Sequence, residues 1–501
     1  TFRIHYRTSW GQQLILLSNY AELSRLTLQA QDDGWWEGTW VTTAPPAQLH
    51  YHYALTAEDG TILEEEFSRD RQLTLNGQSS ISCIDSWRSR YHPEAALYNS
   101  AFQEVIFRPA ERIPSSVAWK EPGQVQVQFA LTCVRVAPHL RLAIIGDSPD
   151  LGEWQAERAL LLGNEQYPVW KTTLNALPGQ RLAYKYVLID PATGEIHHWE
   201  TGDNRVLEIP HSAELVVRHD EYFAHPGGLW KGAGVAMPVF SLRTEQSCGV
   251  GEFTDIKALV DWAVAVDMDM VQILPVNDTM ATHTWKDSYP YAAISVFALH
   301  PLYLNLDALE TYVNKAALTK KRKALNALDT VDYEATLSYK LAYARKVYDR
   351  AGKDTLAAAD FKAFFRGNQH WLAPYAAFCY FRDQYGTANF NEWPDHRTYE
   401  AAAIDKLNDP KDPAYADLAF YYYLQYHLDR QLAGAADYAR GRGIVLKGDI
   451  PIGIYRYSAD AWVEPELYIM AGQAGAPPDA FAAEGQNWGF PTYNWEAMAA
   501  D

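Results

Sequence analysis

Residues 234–278 read GVAMPVFSLRTEQSCGVGEFTDIKALVDWAVAVDMDMVQILPVND, and their spacing decides the architecture of the carboxy-terminal half. Residues 234–242 form an almost unbroken apolar run of strand length. Residues 255–266 set apolar side chains at helical intervals and are entered through the loop Gly249-Val250-Gly251. Residues 270–276 are a second apolar run. Strand, helix, strand at this spacing predicts βαβ units and a parallel sheet. Downstream, residues 315–384 read as helical, with Lys/Arg and Ala runs, and residues 444–454 read as the next strand. Polar residues follow the buried runs: Ser241, Arg243 and Glu245 after the first, Asn277 and Asp278 after the second. Asp449 falls inside the third. Active sites of parallel barrels gather at the carboxyl ends of strands. A buried Asp on a strand must be paired or hydrogen-bonded, so Asp449 is read either as functional or as a structural hydrogen-bonding group.

Upstream the pattern differs. Residues 13–17, 125–131, 140–145 and 181–188 alternate apolar and polar, and turn residues such as Asp32-Asp33-Gly34 and Pro191-Ala192-Thr193-Gly194 punctuate them. This is the spacing of an all-β sandwich or barrel. A weak repeat runs through the region. Gly34-Trp35-Trp36 precedes a strand at Tyr51-His52-Tyr53, and Pro168-Val169-Trp170 precedes one at Tyr184-Lys185-Tyr186. An acidic segment follows each: Glu64-Glu65-Glu66, then Trp199-Glu200. Two modules of about 100 residues are implied, joined by a Pro-rich, charged stretch at 108–124, and the 501 residues divide into about three domains.

Composition narrows the function. A net charge of −19 repels phosphate backbones and argues against a nucleic-acid partner. No apolar run approaches the roughly 20 residues a bilayer needs, so no membrane role is expected. The first six residues alternate like a strand and lack the regions of a signal peptide, which points to a cytoplasmic protein. Cys83, Cys133, Cys248 and Cys379 match no zinc spacing and read as scattered buried thiols. The 17 Trp and 32 Tyr lift aromatics to 13%. Flat rings that pack on the C–H faces of sugars fit such an excess, and so does a Trp-rich core.

Three residues of the second module draw attention. Trp154 lies in a turn, Lys185 sits mid-strand between two tyrosines, and Trp199 follows a polar turn, with Glu200 and Asn204 close behind. Two Trp faces and a donor fit consecutive glucose units; spacing alone leaves core packing open. Other signals are weak. The histidines show no metal spacing. Gly249-Val250-Gly251 lacks the third glycine of a dinucleotide fingerprint, and no Gly-x-Ser-x-Gly elbow is present.

The motifs together resemble a known family. Ser241-Leu242-Arg243, Gly249-Val250-Gly251-Glu252-Phe253, Gln272-Ile273-Leu274-Pro275-Val276-Asn277-Asp278, Asp287-Ser288-Tyr289-Pro290-Tyr291 and Ala298-Leu299-His300-Pro301 look like the opening of glycoside hydrolase family 77, the amylomaltases or 4-α-glucanotransferases. The resemblance resumes at Lys447-Gly448-Asp449-Ile450-Pro451, Ser458-Ala459-Asp460-Ala461-Trp462, Gly475-Ala476-Pro477-Pro478-Asp479 and Gly485-Gln486-Asn487-Trp488-Gly489. The second module resembles the starch-binding domains of carbohydrate-binding module family 20, whose glucan site falls on Trp154, Lys185 and Trp199. The first module resembles the same fold, with His52 in place of the Lys and Glu65 near the second Trp.

The resemblance implies two all-β immunoglobulin-like starch-binding sandwiches, residues 1–108 and 122–220, followed by an incomplete (β/α)8 TIM-type barrel over 228–501. It implies transfer of α-1,4-glucan units from maltose or malto-oligosaccharides to a glucan acceptor such as glycogen or starch. The mechanism is a retaining double displacement without metal or cofactor. Two carboxyl groups about 5–5.5 Å apart serve as nucleophile and acid/base. In the family both follow later strands, so they are expected after Asp501, and none of Asp449, Asp460 and Asp479 is assigned either role. Substrate contacts are expected from Trp154, Lys185, Trp199, Glu200, Asn204, Tyr289, Tyr291, Asp449, Asp460, Asp479, Gln486 and Trp488. Trp462 and Trp495 are read as either packing or sugar contacts. The rival reading is a non-catalytic α-glucan-binding protein.

Overall fold

In the strand Val125–Thr132, Val127, Phe129 and Leu131 are buried while Gln126 and Gln128 between them are half-buried. Such a strand belongs to a sheet with two different faces. The computed structural model describes residues 1–500 apart from 68–69, 76, 110, 117, 119–120 and 138. Parts of the 108–124 connection, and Asp501, therefore lie outside the described residues. The chain divides into two compact units, Thr1–Lys231 and Gly232–Asp501.

In the first unit, eight strands among the described residues form one sheet. Their order is Gly163–Gln166, Val169–Ala176, Val125–Thr132, Leu215–Asp220, Ile81–Ser86, Phe2–His5, Trp35–Gly38 and Gln29–Ala30. The seam between the two sequence repeats is the parallel pair Leu215–Asp220 and Ile81–Ser86, with Val217 opposite Cys83 and Arg218 opposite Ile84. Alternation then sends neighbouring residues to opposite sides. Val217 and Cys83 join a core with Ile4, Trp36, Tyr51 and Tyr53. Val216 and Ile84 join another with Phe129, Trp170, Tyr184 and Tyr186. The two cores thus lie on opposite faces of one continuous sheet, each closed by a smaller sheet, built around Gln48–Ala57 in the first repeat and Arg181–Ile189 in the second.

The repeat persists in the buried polar groups. Tyr51 and Tyr53 donate to Asp85 Oδ2 at 3.0 and 2.6 Å; Tyr184 and Tyr186 donate to Asp220 Oδ2 at 2.8 and 3.0 Å. Arg71 pairs with Glu66 and Asp85, as Arg205 pairs with Glu200 and Asp220. Buried carboxylates persist only when paired and hydrogen-bonded. Burial pushes the Asp85 carboxyl up, but Arg71 and His219 outweigh it and hold it at about 2.

The second unit contains a parallel sheet in the order Gly234–Met237, Met270–Ile273, Val445–Lys447. Gly234 lies opposite Met270, and Gln272 opposite Lys447. Each strand is shorter than its apolar run. Pro238, which cannot donate a ladder hydrogen bond, directly follows the first; the third ends at Lys447, so Asp449 lies past the end of its strand rather than inside it. The helices Ile256–Ala265, Lys315–Asn326, Tyr333–Ala357 and Ala359–Tyr385 occupy the segments whose spacing predicts them. The helix Tyr415–Gly441 was not legible from spacing. It is buried continuously from Leu418 to Leu428, and a helix apolar all round carries no amphipathic period.

Candidate functional site

The first candidate face lies on the smaller sheet of the second repeat. Val187 is opposite both Trp199 and Ala143, and Lys185 is opposite Ile145. Directly paired residues share a face, so Trp199, Lys185, Ala143 and Ile145 share the side away from the core. Trp154 packs against this patch of Ala143, Ile145, Val187 and Ile189. Its turn is unusual: Gly152, Glu153 and Trp154 have φ of 78, 50 and 61°. At Gly152 a Cβ would lie 2.5 Å from the Arg158 carbonyl oxygen. Non-glycine residues held in the left-handed region concentrate at functional sites.

Three of the expected residues are therefore gathered on one surface, and Trp199 is 41% exposed there. Lys185 Nζ donates to the carbonyls of Glu200 (3.1 Å) and Gly202 (2.6 Å), leaving its third N–H free of protein carbonyls. Asn204 is exposed nearby in sequence. Glu200 departs from expectation. As Trp199's neighbour on an alternating chain it turns inward and is buried. It accepts from Tyr186 N at 2.8 Å and from Arg205 at 2.8–3.1 Å, so its carboxylate is committed to the fold.

The first repeat lacks this face. Glu65 is opposite Ala54, the place Trp199 takes opposite Val187, and His52 Nδ1 lies 3.0 Å from Asp70. Trp36 is buried in the first core, and Trp35 packs against the second.

In the second unit, the motif residues after the first strand build the frame. Asp255 accepts from Thr244 Oγ1 (2.8 Å), Ser247 Oγ (2.7 Å) and Glu252 N (2.8 Å). Arg243 donates to the carbonyls of Asn326 and Leu328, both at 2.9 Å. Lys340 Nζ, buried, joins Glu252 (2.6 Å) to the Leu302 and Leu304 carbonyls. Gly251 is required by close approach, since a Cβ there would sit 1.8 Å from the Val239 carbonyl oxygen. Gly251 therefore packs backbone on backbone, whereas Gly249, at φ 82°, faces the Leu325 and Thr336 side chains.

Beyond the strand ends, Tyr291 Oη donates to Asp449 Oδ2 at 3.0 Å. The Tyr289 and Tyr291 rings stand 5.6 Å apart, and Tyr289 is half exposed. These three expected residues are brought together. Asp460 Oδ2 accepts from Val296 N at 2.9 Å; burial, with Glu464 adding repulsion, pushes its carboxyl up to about 7. Trp488 Nε1 donates to Gln486 Oε1 at 3.0 Å, beside the strand pair Gly475–Ala476 and Gln486–Asn487. Asp479 accepts from Phe481 N and Ala482 N, so one of its oxygens shapes a turn. Trp462 is a core residue that donates to the His396 carbonyl at 2.9 Å, whereas Trp495 is 70% exposed.

Next to the Tyr289–Tyr291 loop is a cavity of about 290 Å³, lined by Asn277, Trp285, Asp287, Tyr303 and Tyr333. The reading of single motifs passed over Trp285 and Tyr333. Trp285 stands two residues before Asp287, which holds the loop by accepting from Thr282 N and Oγ1. No group of His, Cys, Asp and Glu among the described residues is arranged to hold a metal ion. No described helix is long and apolar enough to cross a membrane.

The family described as 4-alpha-glucanotransferase, glycoside hydrolase family 77, matches residues 237–501, over half of the chain. The chain belongs to that family. The starch binding domain family matches residues 124–218, the segment that carries Trp154, Lys185 and Trp199. The 4-alpha-glucanotransferase DPE2 of Oryza sativa subsp. japonica is 37% identical over 527 residues, covering 100% of this chain and 55% of that protein. The 4-alpha-glucanotransferase of Chlamydia muridarum is 33% identical over 272 residues, covering 54% of this chain and 50% of that protein. The chain spans about half the length of the curated relatives it matches. Among solved structures, an amylomaltase from Streptococcus agalactiae in complex with acarbose aligns with a TM-score of 0.47 at 25% identity, over 54% of this chain and 55% of that one.

Proposed function

We propose that this chain is the glucan-gathering and glucan-positioning part of a 4-α-glucanotransferase. The enzyme moves glucosyl or α-1,4-glucan units from maltose or malto-oligosaccharides to a glycogen- or starch-like acceptor, in the cytoplasm. The modules are residues 1–108 and 122–220, and residues 228–501 form part of a (β/α)8 barrel. The observation that carries the reading is the assembly of Tyr289, Tyr291 and Asp449 past the carboxyl ends of parallel strands, inside the family segment. A tyrosine pair with a carboxylate between strand ends offers ring faces to a sugar and an acceptor to its hydroxyls. Trp154 and Trp199 stack consecutive glucose units on the starch-binding segment, with the Lys185 ammonium between them. Asp460, Asp479, Gln486 and Trp488 supply further hydrogen bonds along the cleft.

Retaining transfer needs a nucleophilic carboxylate and an acid/base about 5–5.5 Å apart. Neither role is assigned to a residue of this chain; its contribution is to bind and orient. The test is the product profile from maltose plus glycogen, read from this chain beside one extended to the full length of its relatives, and the extended protein decides. Transfer releases glucose while glycogen chains lengthen. Glucose release without lengthening means hydrolysis, and binding with neither product means a non-catalytic glucan-binding protein.

A further inference from the structure

The shared sheet of the first unit carries a feature that the glucan face does not use. Ala130 lies opposite both His219 and Lys171. It alternates with Phe129 and Leu131, which enter the second core. Ala130, Lys171 and His219 therefore point to the other side of the sheet, the side of the first core, where they line a cavity of about 670 Å³. Specific small-molecule sites occupy roughly 300–1,000 Å³. This position is distinct from the Trp154–Trp199 face, which lies on the outer side of the second repeat's smaller sheet.

The lining selects a class of ligand. Four carboxyl groups (Asp70, Glu165, Asp220, Glu221) face it beside three basic groups (Arg71, Arg88, Lys171), so an anion meets no surplus of positive charge. Asp220 and Arg71 are already committed to the ion pairs of the two repeats. Lys171 and Glu221 are held differently. Burial alone moves the Lys171 ammonium, downward. Burial pushes the Glu221 carboxyl up to about 7 against a hydrogen bond from Ser89. His219 uses Nδ1 on Asp85, 2.7 Å away, which leaves Nε2. A donor, an acceptor and an imidazole nitrogen lining one cavity suit hydroxyl groups, which donate and accept at once. Phe67, Tyr98 and Tyr167 add flat apolar faces.

We propose that this cavity is a second sugar site of the first unit, taking one or two glucosyl units against Lys171, His219 and Glu221. The choice of glucose units rests on the α-glucan reading above; the choice of a neutral polyol rests on the cavity.

Two lysines report the two sites in one experiment. The 501-residue chain is acetylated with an amine reagent in increasing maltose, and modification of Lys171 and Lys185 is followed by mass spectrometry. The labelled fraction follows the unoccupied fraction, so maltose at ten times its midpoint slows Lys171 labelling about tenfold. The same protection is expected in the variant Trp154→Ala/Trp199→Ala, which lacks the surface face. Protection of Lys185 alone overturns the inference and leaves the glucan face standing. Protection of neither overturns both. Loss of Lys171 protection in the double variant overturns a separate site, and protection by inorganic phosphate but not maltose overturns the sugar class.

Discussion

Replacing Glu200 by alanine separates the two jobs that sequence places side by side at Trp199-Glu200. Glu200 is 3% exposed and accepts from Tyr186 N and from the Arg205 guanidinium. Removing one partner of such a buried pair costs about 3–5 kcal/mol, because the other is left without compensation. Arg205 keeps Asp220 Oδ1 at 3.1 Å and the Tyr222 carbonyl at 2.8 Å, so the lower end, about 3 kcal/mol, is expected. For a cooperative unit of about 150–250 residues this lowers the melting temperature by roughly 6–12 °C. Glu200→Gln keeps one oxygen that can accept from both Tyr186 N and Arg205 Nε but loses the acceptor for Arg205 Nη2, and should fall between. Trp199→Ala, on the surface, should change stability by less than about 1 kcal/mol while abolishing most maltoheptaose binding by the starch-binding segment. Calorimetry gives the melting temperatures, and titration with maltoheptaose well below them gives affinity. A Glu200→Ala protein that melts with the wild type yet has lost maltoheptaose affinity would refute the reasoning, since the carboxylate would then be meeting sugar rather than Arg205.

Further outcomes follow from other buried groups. The Asp85 carboxyl sits at about 2 against an ordinary 3.8. Its contribution to stability is therefore complete above about pH 4 and is lost as pH falls toward 2; urea midpoints of the first unit that stay flat from pH 5 to 2 would contradict this. Asp460 shifts the other way, from 3.8 to about 7. Its contribution is greatest below about pH 4 and declines as pH rises through 7. Asp460→Asn keeps an acceptor for Val296 N and should remove that decline, seen as a flatter urea midpoint of the second unit between pH 5 and 8. Gly251→Ala drives a Cβ to 1.8 Å from the Val239 carbonyl oxygen and should leave the second unit unfolded or insoluble, read by circular dichroism and solubility. All four thiols are buried and free, and burial pushes those of Cys83 and Cys133 up to about 12. A thiol reagent should react in step with unfolding; rapid reaction of the native chain would show that one of them is open.

Much of this was legible in the chain. The strands at 125–131 and 181–188 follow from alternation, and the βαβ order follows from two apolar runs flanking a helical period. The match of the family to residues 237–501 agrees with motifs quoted from Ser241 onward. Strand ends were misjudged where apolar runs continue beyond the paired residues, because hydrophobicity persists where the hydrogen-bond ladder stops. The helix Tyr415–Gly441 was missed because burial on all sides erases its period. At the candidate site, sequence named Trp154, Lys185, Trp199, Tyr289, Tyr291 and Asp449. It misassigned Glu200, since adjacency along a strand says nothing about which face a side chain takes until register is known.

Local patterns of apolar, turn and motif residues, together with net charge, were enough by themselves to determine the two β repeats, the parallel-sheet segment, the family resemblance and the expected glucan class. Those are short-range properties, written within one strand, one turn or one motif. Only the tertiary structure decided that the repeats share one sheet with a core on each face, that Glu200 serves Arg205, and that Tyr291 meets Asp449 across 158 residues. It alone brings Lys171 and His219 to one cavity. Each of these depends on strand pairing and long-range closure, and the partner in such a contact is fixed by the register of distant segments rather than by the neighbours in the chain.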